Sequence, residues 1–207
     1  MDDRTAERFN SELAGRPDLM AGRTSMRLDG HAQRVSENAA PNTKNKSFSI
    51  TAELVVPEGG AEGVIATQGG AFGGWGLYAK DGKLKYCYNF IGLDRAYVEA
   101  EQPLQPGKRQ VRIEFKYDGG GIGKGADLLL FVEGEKVGEG RTERSIPYLI
   151  SLDETLDVFL ESPGGERVEL FTGVGGSDDV PDLVEVDLLE DPRGGRVSDL
   201  AEQGGVV

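Results

Sequence analysis

The chain has 207 residues and a formal net charge of −13. This length holds one domain of ordinary size, while the acidic surface repels phosphate backbones, anionic lipid headgroups and sulfated polymers. We therefore expect no nucleic acid and no membrane as a partner, and no window approaches the roughly 20 apolar residues of a membrane helix.

The first 46 residues are interrupted by glycine and proline, and only a short stretch has helical periodicity. We interpret residues 1–46 as an irregular lead-in. Residues 1–10 contain no apolar stretch able to serve as a signal peptide, so we predict no export address on this chain, and the bacterial cytoplasm and periplasm both stay open. The single cysteine, Cys87, excludes an internal disulfide and is compatible with either redox environment.

Strand patterns begin after residue 46. Residues 48–56 alternate apolar and polar side chains, which predicts a half-buried strand closed by a Pro-Glu-Gly-Gly turn. Residues 64–68 form a second, short predicted strand. The glycine-rich run at residues 69–74 predicts a flexible loop that leads into the next strand.

Residues 75–80 and 83–90 predict a β-hairpin. Both are rich in aromatic residues with period-two alternation, and Asp81-Gly82 between them is a strong signal for a two-residue turn. Four large side chains of the second strand share one face, namely Leu84, Tyr86, Tyr88 and Phe90. Such a face belongs in a core.

The remaining strands are predicted from shorter patterns. Residues 111–117 alternate cleanly, and residues 128–132 form an apolar run suited to a sheet covered on both faces. Further strands are predicted at 96–100, 136–141, 148–152, 168–172 and 183–189. With 31 glycines, eight or more short strands indicate an all-β antiparallel sandwich or closed barrel over residues 47–189, followed by a flexible polar tail at 190–207.

Three segments carry a family resemblance: GGWGLYAKDGKLKYCYNFIGLDR at residues 73–95, PLQPGKRQVRIEFKYDGGGIGKG at 103–125 and SLDETLDV at 151–158. Together with DDRTAERFN, AGRTS, ENAAPNTKN and TAELVVPEGGAEGV in the same order, they resemble the C-terminal domain of bacterial arylsulfatases over residues 2–158. The resemblance implies a laminin G-like or concanavalin A-like β-sandwich or jelly roll, packed in cis or in trans against an alkaline-phosphatase-like catalytic domain. The lead-in would be the joint between the two.

The chemistry that this resemblance implies lies outside the chain. Arylsulfatases use a formylglycine made from Cys or Ser in a Cys/Ser-x-Pro-x-Arg segment, with aspartates and an Asn that hold calcium, and Cys87 lacks the Pro and Arg of that segment. We therefore predict a non-catalytic accessory domain that supports a catalytic partner and has no catalytic, cofactor-binding or metal-ligating residue of its own. A truncated reading frame, a split gene or an excised domain would each explain the start at Met1.

Two enzymatic alternatives stay open. Glu185, Asp187 and Glu190 match the E-x-D-x-x-E signature of laminarinase-type β-glucanases, whose retaining mechanism needs carboxyl groups about 5 to 5.5 Å apart. That spacing requires a bulge that re-aims Glu190. A nucleophilic Cys-His pair would need the one histidine, His31, beside Cys87. The simpler interpretations are an acidic edge strand and a small strand side chain.

A free-standing carbohydrate-binding module is the alternative from another class. Asp118 and the segment 153–157 place oxygen ligands on loops, as a calcium site requires, although solvated loop acids are the simpler interpretation. Aromatic residues of the hairpin offer a glycan platform, although aromatic residues alternating in a hairpin are usually core residues. These are Trp75, Tyr78, Tyr86 and Tyr88. The glycine run at 119–125 lacks the following helix that a phosphate loop needs.

Overall fold

The structure is a computed structural model that describes residue 20 and residues 22–29, 32–150, 155–158 and 167–172. All of them belong to the unit Met1–Gly175. This part of the chain forms eleven strands and a short 3-10 turn at Glu37–Ala39, and it contains no helix long and apolar enough to cross a membrane. The strands are β1 (Ser25–Asp29), β2 (Phe48–Val56), β3 (Gly63–Gly70), β4 (Gly73–Lys80), β5 (Lys83–Phe90), β6 (Asp94–Glu99), β7 (Gly107–Tyr117), β8 (Ala126–Val132), β9 (Glu135–Thr142), β10 (Leu156–Val158) and β11 (Arg167–Thr172).

The strands form two antiparallel sheets. One sheet has six strands in the order β1-β11-β2-β7-β8-β9, and the other has five in the order β10-β3-β4-β5-β6. The predicted all-β antiparallel sandwich is therefore confirmed. Most of the predicted strands overlap observed ones, namely those at 48–56, 64–68, 75–80, 83–90, 96–100, 111–117, 128–132, 136–141 and 168–172.

The core lies between the inner faces of the two sheets. Phe48 and Phe115 of the six-stranded sheet stack with ring centroids 4.7 Å apart, and Tyr88 of the five-stranded sheet lies 5.1 Å from Phe115. Leu84 and Tyr86 on the same face of β5 are fully buried. Burying one large apolar side chain contributes roughly 1.5–3 kcal/mol. The side chains of β5 that the alternation predicted to face inward therefore pack between the two sheets.

The prediction of a flexible loop at residues 69–74 is wrong. β3 and β4 extend into this segment from both sides and leave only a two-residue turn. A Cβ on Gly69 would lie 2.2 Å from the carbonyl oxygen of Gly73, and a Cβ on Gly74 would lie 2.0 Å from that of Gln68. Both glycines have positive φ, at +80° and +137°. Glycine here permits a close approach of backbones rather than motion.

The lead-in contains a strand that the sequence did not predict. β1 pairs with β11, and β11 in turn pairs with β2. Val35 forms a bridge to Leu156 of β10, a three-residue strand that was also missed. β1 has five residues and β10 only three, too few for an alternation of apolar and polar side chains to stand out.

The predicted strand at 148–152 is wrong over residues 148–150, which are not in a strand. Side chains bind the backbone at Ile150 and just before the segment, at Pro147. The Asn45 amide donates to the carbonyl oxygen of Pro147 at 2.7 Å, and the backbone N–H of Ile150 donates to the Glu37 carboxylate at 3.1 Å. The predicted strand at 183–189 and the predicted tail at 190–207 lie outside the described residues, and the predicted domain boundaries stay predictions.

Candidate functional site

Two adjacent turns carry exposed apolar side chains at one end of the five-stranded sheet. Phe72 lies in the turn between β3 and β4, and Ile91 and Leu93 lie in the turn between β5 and β6. Phe72 is 82% exposed, Leu93 71% and Ile91 46%. Turn positions usually carry glycine, proline or small polar residues, so this cluster needs an explanation. We call these three side chains the apolar tip.

The buried side chain of Asn89 ties the two turns together. Its amide nitrogen donates hydrogen bonds to the carbonyl oxygens of Gly70 and Ala71, at 2.7 and 3.1 Å. Its oxygen accepts a hydrogen bond from the backbone N–H of Gly92 at 3.0 Å. The two turns therefore keep one relative position in the free protein, and a partner that binds them loses little affinity to ordering.

Ile91 holds an unusual backbone conformation within the tip. Its φ of +44° places a β-branched residue in the left-handed region, where such residues are outliers. This conformation costs on the order of 1–3 kcal/mol and persists only where surrounding contacts impose it. One such contact is the hydrogen bond from the Leu93 N–H to the Phe90 carbonyl oxygen at 2.9 Å. Strain of this kind clusters at ligand clamps and binding sites.

The segment after β9 braces the base of the tip. Arg144 forms an ion pair with Asp94, and its guanidinium lies 4.9 Å above the ring of Phe90. The backbone N–H of Ile146 donates to the hydroxyl of Tyr88 at 2.9 Å. Burial raises the pKa of Tyr88 to about 12, so this hydroxyl stays protonated. The segment at the base of the tip is therefore hydrogen-bonded to a core residue, Tyr88.

The outer face of the five-stranded sheet presents a second, more polar surface. One row across the strands consists of Thr67, Gly76, Cys87 and Tyr97, each paired directly with the next. A neighbouring row consists of Tyr78, Lys85 and Glu99. We call the surface formed by these seven residues the notched face.

The notch lies above Gly76. A Cβ at this position would meet only the hydroxyl oxygen of Thr67, at an ordinary contact distance of 3.6 Å, so the space above the sheet is open. Tyr97, in the same row, is 62% exposed. Its neighbour Val98 is buried in the core, and the alternation of strand side chains therefore places Tyr97 outside.

Four charged side chains at the edge of the notched face pair with one another. The Lys85 ammonium lies 2.8 Å from the Glu99 carboxylate, and the Lys83 ammonium lies 3.1 Å from it. Hydrogen bonds from both lysines lower the pKa of Glu99, and the bond to Glu99 raises the pKa of Lys85. Asp81 lies 3.7 Å from Lys85. These two cations and two anions balance one another, while Arg95, two positions before Tyr97 on β6, acts on the Cys87 thiol.

Cys87 lies in the middle of the notched face and is half-buried. Burial raises the pKa of its thiol above the ordinary value, against a hydrogen bond from Tyr97 that lowers it. The thiol is therefore protonated near neutral pH, whereas catalytic cysteines need a stabilised thiolate. His31, the proposed partner of a Cys-His pair, lies outside the described residues.

Three of the four aromatic residues weighed as a glycan platform are core residues, as predicted. Trp75, Tyr86 and Tyr88 are buried, and the Trp75 indole donates to the side-chain oxygen of Gln68 at 3.2 Å. Tyr78 lies on the notched face instead. The sequence analysis missed Tyr97, although the alternation through Val98 was a signal for its outward position. It also missed the apolar tip, whose signal was large apolar residues in two short turns.

The loop acid Asp118, considered for calcium, contacts a cation from the protein itself. Both of its carboxylate oxygens accept hydrogen bonds from the Arg141 guanidinium, at 3.1 and 2.7 Å. Arg141 also contacts Asp127 and Glu143. Among the residues that the structure describes, no group of three or more His, Cys, Asp or Glu is placed to hold a metal ion. Calcium therefore stays an expectation for the alternative function only.

The structure does not describe some of the other candidate residues. Glu185, Asp187 and Glu190 fall outside the described residues, as do Asp153 and Glu154, so the β-glucanase hypothesis stays a prediction. The glycine run at 119–125 leads into strand β8 rather than a helix, which agrees with the rejection of a phosphate loop.

Comparisons with known proteins give neighbours by structure alone, since no protein-family model and no curated protein matches the sequence. The receptor binding domain of a botulinum neurotoxin C/D mosaic serotype has 14% identity and a TM-score of 0.44, covering 61% of this chain and 33% of its own. The binding domain of Paraclostridial Mosquitocidal Protein 1 has 15% identity and a TM-score of 0.42, covering 72% and 42%. A heptameric SAP-like pentraxin from Limulus polyphemus has 13% identity and a TM-score of 0.35, covering 69% and 56%.

This chain spans about a third to just over half of the length of those three structures. None of the three is a sulfatase. Similarity at this level indicates no ligand and no partner for this chain.

Proposed function

We propose that the chain is a non-catalytic accessory β-sandwich domain of arylsulfatase type, which docks on a catalytic partner protein in cis or in trans through the apolar tip. The observation that carries the docking is the tip itself. Phe72, Ile91 and Leu93 are exposed together on two turns that Asn89 holds in one position. The sulfatase part of the proposal is supported by the ordered motifs at residues 73–95, 103–125 and 151–158.

Exposed apolar side chains on a rigid support have the properties of an interface centre. Large apolar and aromatic anchors that fill pockets on the partner supply most of the energy of such interfaces. Because the turns are already ordered, docking costs little loop entropy. A partner with an apolar cleft would cover the tip, and the Asp94–Arg144 pair beside it would lie at the polar rim.

The absence of a catalytic role is supported by Cys87. It is the single cysteine of the chain, it lacks the formylglycine segment around it, and its thiol is protonated at neutral pH. The domain would therefore contribute binding energy and shape to a partner whose own residues perform sulfate-ester hydrolysis.

Co-purification with the product of an adjacent gene that encodes a Cys/Ser-x-Pro-x-Arg segment tests the proposal. We expect the full chain to bind that product and the double variant Phe72→Ser, Leu93→Ser to lose at least about tenfold in affinity. Both side chains are exposed, so the free energy of unfolding should change by no more than about 0.5 kcal/mol. The matched control is Val64→Ser, an exposed apolar change at the opposite end of β3.

Three outcomes would count against the proposal. Sulfate release from an aryl sulfate by the purified chain would contradict the non-catalytic role. Equal binding by the double variant and the wild type would remove the apolar tip as the docking surface. A genome that encodes no sulfatase able to bind the chain would contradict the arylsulfatase assignment.

A carbohydrate-binding module is the second candidate function. It is favoured by the exposed ring of Tyr97 beside the open notch, since exposed aromatic rings stack on sugars. A glycan array probed with and without EDTA tests it. Binding that disappears with EDTA would indicate a calcium-assisted module, binding that persists would indicate a metal-independent one, and no binding to any glycan would reject this candidate.

A further inference from the structure

We infer that a contact between β6 and β9 closes one side of the sandwich and prevents a strand of a second copy of this chain from adding to either sheet there. We call this contact the seam. Unpaired strand edges readily pair with another chain, so a sandwich needs a means of covering them. The inference is independent of the apolar tip and of both candidate functions.

β6 and β9 are edge strands, since each is the last strand of its sheet. The backbone N–H of Ala100, just after β6, donates to the carbonyl oxygen of Leu84 at 2.9 Å. Backbone groups alternate between the two sides of a strand, so those of Tyr97 and Glu99 point away from β5. Without a cover, these groups would offer hydrogen bonds to an incoming strand.

The inner face of β9 is bare where it meets β6. Gly138 and Gly140 face inward, because each pairs directly with a buried leucine of β8. A Cβ on Gly138 would lie 2.7 Å from the carbonyl oxygen of Glu99. A Cβ on Gly140 would lie 2.7 Å from the Val98 side chain and 3.3 Å from the carbonyl oxygen of Tyr97. Facing sheets with side chains between them are about 10 Å apart, so the two glycines allow a much closer approach.

A backbone hydrogen bond also joins the two edges. The N–H of Glu101 donates to the carbonyl oxygen of Val137 in β9 at 3.1 Å. The register between β8 and β9 shifts at this point, and Val137 has no direct partner in β8. Such a bulge re-aims the backbone groups of the extra residue. The two edges therefore cover each other through a hydrogen bond as well as through packing.

β9 takes up the space that an added strand would need. Such a strand would lie about 4.8 Å from β6, with its backbone facing the groups of Tyr97 and Glu99. The backbone of β9 approaches those same groups at Gly138 and Gly140. The net charge of −13 also makes two copies repel each other, but salt screens that repulsion and does not affect the steric block.

Gly138→Val tests the inference, because the new side chain would push β9 away from β6. We expect the Glu101 N–H to exchange with solvent at least about tenfold faster in this variant, since its hydrogen bond to Val137 is lost. Light scattering after size exclusion, in about 0.15 M salt, should show a mass that rises above the wild-type value with concentration. Gly76→Val is the matched control, a strand glycine without positive φ whose Cβ would meet only the Thr67 hydroxyl oxygen, at 3.6 Å. It should leave both measurements unchanged.

Two further variants separate strand addition from misfolding. Gly138→Ala places a single methyl group against the Glu99 carbonyl oxygen, and it decides the test if near-ultraviolet circular dichroism shows that the valine variant does not fold. Tyr97→Pro, added to either Gly138 variant, removes a backbone N–H from the free side of β6, and proline is tolerated on edge strands. We expect the double variant to return to the wild-type mass.

Any of three results would overturn the inference. Exchange of the Glu101 N–H at the wild-type rate in the Gly138 variants would show that no seam protects it. Faster exchange without a rise in mass would show that the seam does not prevent association. Association that persists with Tyr97→Pro, or that Gly76→Val shows equally, would rule out the addition of a strand to β6.

Discussion

Two glycine-rich connections of this chain look alike in sequence and differ in structure. At the β3–β4 turn, a Cβ on Gly69 or Gly74 would lie about 2 Å from a backbone oxygen. In the β7–β8 connection, a Cβ on Gly119 or Gly120 would meet nothing within 4 Å. The first pair of glycines allows strands to pack closely, whereas the second pair supplies positive φ on an open loop. The comparison shows that glycine content alone does not distinguish glycines packed against backbone from glycines that face open space.

The largest expected effect is that of Gly74→Ala. The new Cβ would lie 2.0 Å from the Gln68 carbonyl oxygen at a φ of +137°, and neither β3 nor the buried Trp75 can yield easily. We expect a loss of about 3 kcal/mol or more in the free energy of unfolding, measured by urea denaturation. The matched control, Gly120→Ala, should cost only about 1–2 kcal/mol for its positive φ. Equal losses of unfolding free energy in the two variants would contradict a close backbone approach at the β3–β4 turn.

A smaller effect is expected for Asn89→Ala, which removes the side chain that joins the β3–β4 and β5–β6 turns. The carbonyl oxygens of Gly70 and Ala71 and the N–H of Gly92 would lose their partner. We expect a loss of about 1–3 kcal/mol, together with faster amide hydrogen exchange at residues 70–73 and 91–93.

Asn42→Ala is the control for Asn89. Its side chain accepts one local, exposed hydrogen bond from the Lys44 N–H, so we expect a loss of about 0.5 kcal/mol or less. Unchanged hydrogen exchange at both turns in Asn89→Ala would show that the apolar tip is held by other contacts, and the argument for a preorganised docking surface would fail.

The smallest effect belongs to the β7–β8 connection, which is anchored by an exposed ion pair. Arg141 lowers the pKa of Asp118 through its hydrogen bonds. A carboxyl whose pKa is lower in the folded state contributes stability above the pKa of the unfolded group, about 3.9, and loses it as the pH falls through the folded pKa. Arg141→Ala should therefore lower the melting temperature slightly at pH 7 and leave it unchanged at a pH of about 2.

Differential scanning calorimetry of the wild type and Arg141→Ala across this range measures that difference. Because the pair is exposed, we also expect the difference at pH 7 to shrink in about 1 M salt. A difference that is the same at both pH values would assign the effect to packing of the arginine stem rather than to Asp118.

The sequence predicted the sandwich because the alternation of apolar and polar residues is visible within each of its main strands. In β2, β5 and β7, apolar and polar residues alternate, and the apolar set faces the core in the structure. The same rule placed Leu84, Tyr86 and Tyr88 inside. It failed at residues 148–150, where the Ile150 N–H donates to the Glu37 carboxylate and the preceding residue, Pro147, accepts from the Asn45 amide.

The candidate sites were less predictable, since each depends on what lies next to it in space. Nothing local to Asn89 shows that its amide reaches back to Gly70 and Ala71. Tyr97 and Gly76 are 21 positions apart and meet only through β5. The sequence offered the hairpin aromatics as a platform, and packing placed three of the four in the core.

By itself, the sequence determined the fold class and the inward faces of the long strands, because period-two alternation is a local consequence of the pleat. Only the tertiary structure decided that β1 pairs with β11, that Gly69 and Gly74 bring backbones together, and that the Asn89 amide joins two turns. These features depend on contacts between residues distant in the chain, and a local pattern carries no information about the distance between two such residues once the chain has folded.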